Sequence, residues 1–380
     1  MNTKYIYNAQ VVTVNGIIYD GVIVIENQTI VQFGKEKDIQ IPIGATKIDA
    51  KGAYVGPGFV DIHVHGNNGY ETCFDTVNAS NFFLQHGTTS FLATNLYTWP
   101  LDKQLSAIES VKRNMAEAKT VKGMYFEGPF MNPKYGCDAF NNPWGMETKE
   151  QDYKPIVDSA GGLAKVWAVA PERNNIIEFL RYARKVNPSV KFAVGHSEAL
   201  PKEISDLGLY KPTIQTHAFN ATGRKEEDTG IRAMGPDEYC IADKDIYSEL
   251  ICDSCAIHVH PEMQKLLLHC KGVEKVMLIT DSTNFAGKNP PEFAHVTDLC
   301  FDEMGGLAGS KMTMEQACKN IMQHTNCGIA QAFMMASTNP AKAIGLYDVG
   351  EIFKGKTADL VFVDDKFNIK QVMLKGELCF

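Results

Sequence analysis

Two rhythms of hydrophobic and polar positions divide the chain. The first ~55 residues carry short β-rich runs, AQVVTV and GVIVIENQTIVQFG, punctuated by Gly and Asn and without the apolar spacing of a helix. The stretch from about Gly350 has the same character, with TADLVFVD and KQVMLKGEL bounded by KGK and DDKF. These two ends, residues 1–55 and 350–380, are expected to pair in one small β-sandwich domain. Between them, over 56–349, eight apolar runs alternate with helix-length amphipathic stretches: GFVDIHVH, TSFLATN, GMYFEGPF, AKVWAVAPE, KFAVGHS, TIQTHAFN, YSELICD and KVMLITDS. That is the pattern of repeated βα units, and eight of them predict an α/β chain closed into a (β/α)₈ TIM-type barrel. An open doubly wound sheet would carry a glycine-rich phosphate turn after its first strand, and GPGFVDIHVHG is arranged differently.

Size agrees with a large unit plus a small one, since 380 residues exceed the ~250–300 at which one core stops growing. The formal net charge of −8 comes without a long run of Lys or Arg, which argues against a nucleic-acid or acidic-membrane partner. Small soluble ligands are the expected partners. Ten cysteines are scattered singly and MNTKYIYNAQ lacks the form of a signal peptide, so a reducing cytoplasm is expected. Asp, Glu, Lys or Gly breaks every apolar run before the ~18–20 residues that would span a bilayer.

The chemistry gathers at strand ends. His63, His65, Glu127, His196, His217 and Asp281 all fall at the C-terminal ends of different apolar runs, the barrel face that holds active sites. His63 and His65 stand two apart on a strand and so point the same way. Four imidazoles and two carboxylates suit one or two divalent ions, zinc first, with iron, manganese or cobalt compatible. A metal with an open position acidifies water and polarises a carbonyl, and Asp281, ending the last strand, is the natural proton carrier. Taken singly each residue has a plainer role: a strand-end His is often hydrogen-bonded structure, and Glu127 or Asp281 could cap a helix. Cys252 and Cys255 form half a zinc site, but no second CxxC accompanies them.

PGFVDIHVHG, FEGPFMNPK, GHS, THAFNA, a late IHVHP and LITDS stand in the order found in N-acetylglucosamine-6-phosphate deacetylases, and nearly the whole chain resembles that family of the amidohydrolase superfamily. The resemblance implies that Glu127, His196 and His217 bind the main metal, that His63 and His65 can hold a second ion with Glu127 and Asp281, and that Asp281 is the acid–base residue. It implies release of acetate from an N-acetyl amino-sugar 6-phosphate whose phosphate meets Asn220, Ala221, Arg224 and His258, with Arg224 reaching across a homodimer.

Two departures bear on the substrate. KYGCDAFNN places Asp138 where the family has a His near the sugar, exchanging a donor for an acceptor. This makes N-acetylgalactosamine 6-phosphate the rival. DSCAIHV adds two residues between Asp253 and His258 relative to the family's DGxHV. A dihydroorotase-like site would need a Lys at the end of AKVWAVAPE, where Ala170, Pro171 and Glu172 stand, and a deaminase an HxxE near the fifth strand, where the chain has His196-Ser-Glu198. A barrel that binds sugar phosphates without turnover is the non-enzymatic alternative.

Overall fold

The computed structural model describes residues 2–137, 139–224 and 233–379. Eight parallel strands run in sequence order around one sheet: β1 (Phe59–Val64), β2 (Thr88–Asn95), β3 (Val121–Glu127), β4 (Ala164–Val169), β5 (Lys191–Val194), β6 (Ile214–Gln215), β7 (Tyr247–Ile251) and β8 (Val276–Ile279). Each neighbour pair is in parallel register. The ring closes just beyond β8, where Asp281 N–H donates to His63 O at 3.0 Å and His65 N–H to Ser282 O at 2.8 Å. This is the (β/α)₈ barrel that the eight apolar runs predict.

Buried β-branched and aromatic residues make the strands, and helices cover them by their apolar stripes. Helix Ile176–Val186 buries Ile176, Phe179, Leu180 and Ala183, the i, i+3, i+4, i+7 spacing of one helical face. Phe179 then meets Trp167 of β4 edge to face at 5.3 Å, and Trp167 stacks on Phe126 of β3 at 3.9 Å. Among the described residues no helix is long and apolar enough to cross a membrane.

The chain ends share a second sheet. Thr3–Thr13, Gly16–Glu26, Thr29–Lys35, Thr46–Asp49 and Tyr54–Pro57 pair with Leu360–Val363, Ile369–Leu374 and Glu377–Leu378. Its path is continuous, but Thr29 also bridges to Thr357, with Ala358 N–H donating to Gln28 O, so the sheet curls back on itself. Ile6, Ile23, Ile25, Ile30, Leu360, Phe362 and Met373 fill the space enclosed.

Two elements carry no signal in the eightfold pattern. A hairpin, Leu299–Phe301 with Leu307–Ser310, follows β8. Beyond it, helix Ile329–Phe333 widens into a π-helical turn over Met334–Thr338 before Asn339–Ile344.

Candidate metal centre and active site

Glu127 ends β3 with its carboxyl group buried at the centre of the barrel mouth. Its Oε1 lies 3.0 Å from His196 Nε2 and 3.2 Å from His217 Nε2, and those two nitrogens are 3.1 Å apart. Donors bound at about 2.0–2.2 Å in a tetrahedral site are separated by roughly 3.3 Å, so the three atoms have the spacing of one face of a metal's coordination shell. On the other side, Glu127 Oε2 lies 3.3 Å from His65 Nε2, which is also 3.3 Å from Asp281 Oδ1. His63 Nε2 is 3.8 Å from Glu127 Oε1 and 3.7 Å from Asp281 Oδ1, buried and without a hydrogen-bond partner. Nitrogens held at these distances from carboxylates fit atoms that share an ion. Two candidate triads result, His63/His65/Glu127 and Glu127/His196/His217, with Glu127 common to both.

The backbone at these positions is unusual. His196, His217 and Asp281 have φ of 45°, 23° and 45°, the left-handed region that side-chain-bearing residues seldom occupy. Strain of this kind persists only where surrounding bonds hold it. Here Asn132 N–H donates to His196 O at 2.9 Å, Asn220 N–H to His217 O at 2.9 Å, and Ser310 N–H to Asp281 O at 2.9 Å. The far nitrogens are fixed as well: His196 Nδ1 bonds Tyr135 O at 3.1 Å and His217 Nδ1 bonds Asn220 O at 3.2 Å, which leaves each Nε2 toward Glu127. Gly136 makes the first contact possible, because a Cβ there would fall 2.6 Å from His196 Nδ1, and its φ is 102°.

Burial pushes the Glu127 carboxyl up, but hydrogen bonds from His196, His217 and His65 more than offset it and hold the group well below the usual carboxylate range. Asp281 is likewise lowered, burial being outweighed by the imidazoles of His63 and His65. Burial disfavours the charged imidazoles, yet bonds to Asp281 and Glu127 raise His65 to about 10, and Glu127 with Asp281 raises His217 to about 9. The carboxylates thus give the site a negative potential that favours a divalent cation.

A cavity of about 1020 Å³ opens above the cluster. Asn220, Ala221 and His258 line it together with His65, Glu127, His196, His217 and Asp281. His258 is tethered by its Nδ1 to Asp253 Oδ2 at 2.9 Å, and its Nε2 is buried with no partner. The two extra residues before it are absorbed around the same carboxylate, which also accepts the N–H groups of Cys255, Ile257 and His258. Arg224 is elsewhere: its guanidinium pairs with Glu238 and does not border the cavity. Asp138 lies outside the described residues. Cys252 is buried against Gln264 and His324 while Cys255 is exposed, so the pair does not converge.

Sequence reasoning missed Glu249 and Asp253. Glu249, inside β7, is wholly buried with Oε2 3.0 Å from His63 Nδ1. Its only sequence signal is an acid within YSELI, a run otherwise suited to a buried strand. Asp253 stands two residues past the end of β7, and its signal is position: a third acid at a strand's C-terminal end.

The chain is similar to N-acetylglucosamine-6-phosphate deacetylase of Bacillus subtilis (strain 168), 29% identical over 97% of this chain and 95% of that one. N-acetylgalactosamine-6-phosphate deacetylase of Escherichia coli O157:H7 is 27% identical, covering 89% and 90%. The crystal structure of N-acetylglucosamine-6-phosphate deacetylase from Thermotoga maritima superimposes with a TM-score of 0.82 at 26% identity over 99% of each chain. The amidohydrolase family model matches residues 54–379, which takes in the whole barrel and both site triads. With that match, and with a barrel whose strand ends assemble these ligands, the chain belongs to the amidohydrolase family.

Proposed function

We propose that this protein is a metal-dependent deacetylase that hydrolyses N-acetylglucosamine 6-phosphate to glucosamine 6-phosphate and acetate. The observation that carries the reading is the buried Glu127/His196/His217 face with Asp281 beside it on the floor of the cavity. The Bacillus subtilis deacetylase, matched over nearly the whole of both chains, supports the choice of substrate.

A divalent ion, zinc in this reading, would be held by Glu127, His196 and His217 and would supply a polarised acetamide carbonyl and an acidified water. His63 and His65 offer a second position beside Glu127 and Asp281. Asp281 takes a proton from the attacking water and returns it to the sugar nitrogen, so that an amine departs rather than an amide anion. His258, Asn220 and Ala221 line the cavity where a phosphate or sugar hydroxyl would sit. Arg224, paired with Glu238 in its own subunit, serves the neighbouring site in a cytoplasmic homodimer.

N-acetylgalactosamine 6-phosphate is the second reading, favoured by Asp138 at a position where the resemblance expects a His and by the relative that acts on that epimer. Acetate release from metal-reconstituted protein, with both phosphorylated epimers and unphosphorylated N-acetylglucosamine in parallel, tests the proposal. Preference for one phosphorylated sugar names the substrate, and acetate from none of them refutes it. Asp281→Asn should lower kcat by at least a hundredfold while ligand binding persists, whereas a binding protein would have no activity to lose. Chelation should abolish turnover, and added zinc should restore it.

A further inference from the structure

Glu249 has no part in the chemistry described above, yet it contacts ligands from two barrel strands. Its Oε2 lies 3.0 Å from His63 Nδ1 and accepts the backbone N–H of His217 at 3.1 Å, while Oε1 is buried with no hydrogen-bond partner. The residue is 0% exposed. A carboxylate buried with one oxygen left without a hydrogen-bond partner is a poor structural choice in a strand interior unless a positive charge stands near it. The His63 ring lies between this carboxylate and the Glu127/Asp281 pair: Nδ1 faces Glu249 and the unpartnered Nε2 faces the site. Tyr125 stacks on the same ring at 4.5 Å and 27°, which restricts its rotation.

We propose that Glu249 is a positioning residue for the metal centre, holding His63 with Nδ1–H toward β7 and the Nε2 lone pair toward the ion, and locking the backbone of His217 with the same oxygen. The proposal rests on the reading of these residues as a metal site. A carboxylate that accepts the far N–H of a ligating imidazole fixes its tautomer and increases its basicity. Here it does so for β1 while also setting the height of the β6 ligand, so one side chain indexes both triads.

The test titrates cobalt(II) into metal-stripped wild type, Glu249→Gln and Glu249→Leu. It reads affinity by chelator competition, the visible spectrum of the bound cobalt, and the melting of each metal-free protein. Glu249→Gln is nearly isosteric and keeps an acceptor oxygen; Glu249→Leu removes it. Affinity is expected to fall about 10- to 100-fold, more for Leu than for Gln, with an altered cobalt spectrum and a metal-free melt of Glu249→Gln within a few degrees of wild type. Affinity within threefold of wild type in both variants overturns the proposal. So does a metal-free Glu249→Gln that no longer folds, since Glu249 would then be a fold residue. Failure of the wild type to bind cobalt would instead sink the metal-centre reading itself.

Discussion

Asp253 is a centre of the loop after β7: its carboxylate accepts three backbone N–H groups and pairs with the Nδ1 of His258. Burial pushes its carboxyl up, but the His258 bond and imidazole charge more than offset this, so it lies below its ordinary value. A depressed folded-state value means the unfolded chain binds more protons below about pH 4, so the Asp253 contribution is present above that range and is lost as pH falls through the folded value. Asp253→Asn should therefore cost about 1–3 kcal/mol near neutrality. It should also shrink the loss of stability as pH falls below about 4, read from urea midpoints of wild type and variant side by side. If His258 meets the phosphate, the same variant raises KM for the phosphorylated sugar more than it lowers kcat.

The barrel strands are legible as elements because a strand covered on both faces reads as a continuous apolar run, and the ionisable residues that end those runs mark the site. His63, His65, Glu127, His196, His217 and Asp281 could be named for that reason. Glu249 could not, because its partners lie on β1 and β6, 186 and 32 residues away, and only closure of the ring brings them together. Arg224 takes its expected role from motif position alone, and its place beside Glu238 depends on a helix that the motif does not specify. Between β5 and β6 the spacing of the two ligand strands depends on Gly195, where a Cβ would fall 2.6 Å from Thr216 Cβ. Gly195→Ala must separate the strands next to His196 and His217, so it should cost about 1–3 kcal/mol. Metal affinity should fall with it; a variant that loses stability but binds metal as wild type does would show that the strands move without disturbing the ligands.

Across the whole molecule, the small sheet and the barrel are joined by apolar contact that sequence position does not reveal. Val12, Val361 and Val363 of the sheet share one buried cluster with Phe59, Phe333, Phe367 and the barrel's own Ile62 and Leu278. Phe333 sits at its centre, 5.7 Å from the Phe59 ring and 5.0 Å from Phe367, at the end of the helix that widens into the π-helical turn. Ser337 in that turn donates to Pro57 O at 3.2 Å, just where the chain passes from sheet to barrel. Truncating a fully buried Phe removes its transfer energy and leaves a void, so Phe333→Ala should cost about 3–5 kcal/mol. The void lies between the two units, and Phe333 does not line the cavity. The expected signature is therefore a lower denaturation midpoint with kcat and metal affinity near wild type in the fraction that stays folded. If the sheet and barrel unfold together, fluorescence and far-ultraviolet dichroism should shift to the same new midpoint; separate transitions would mean that the shared cluster does not couple them.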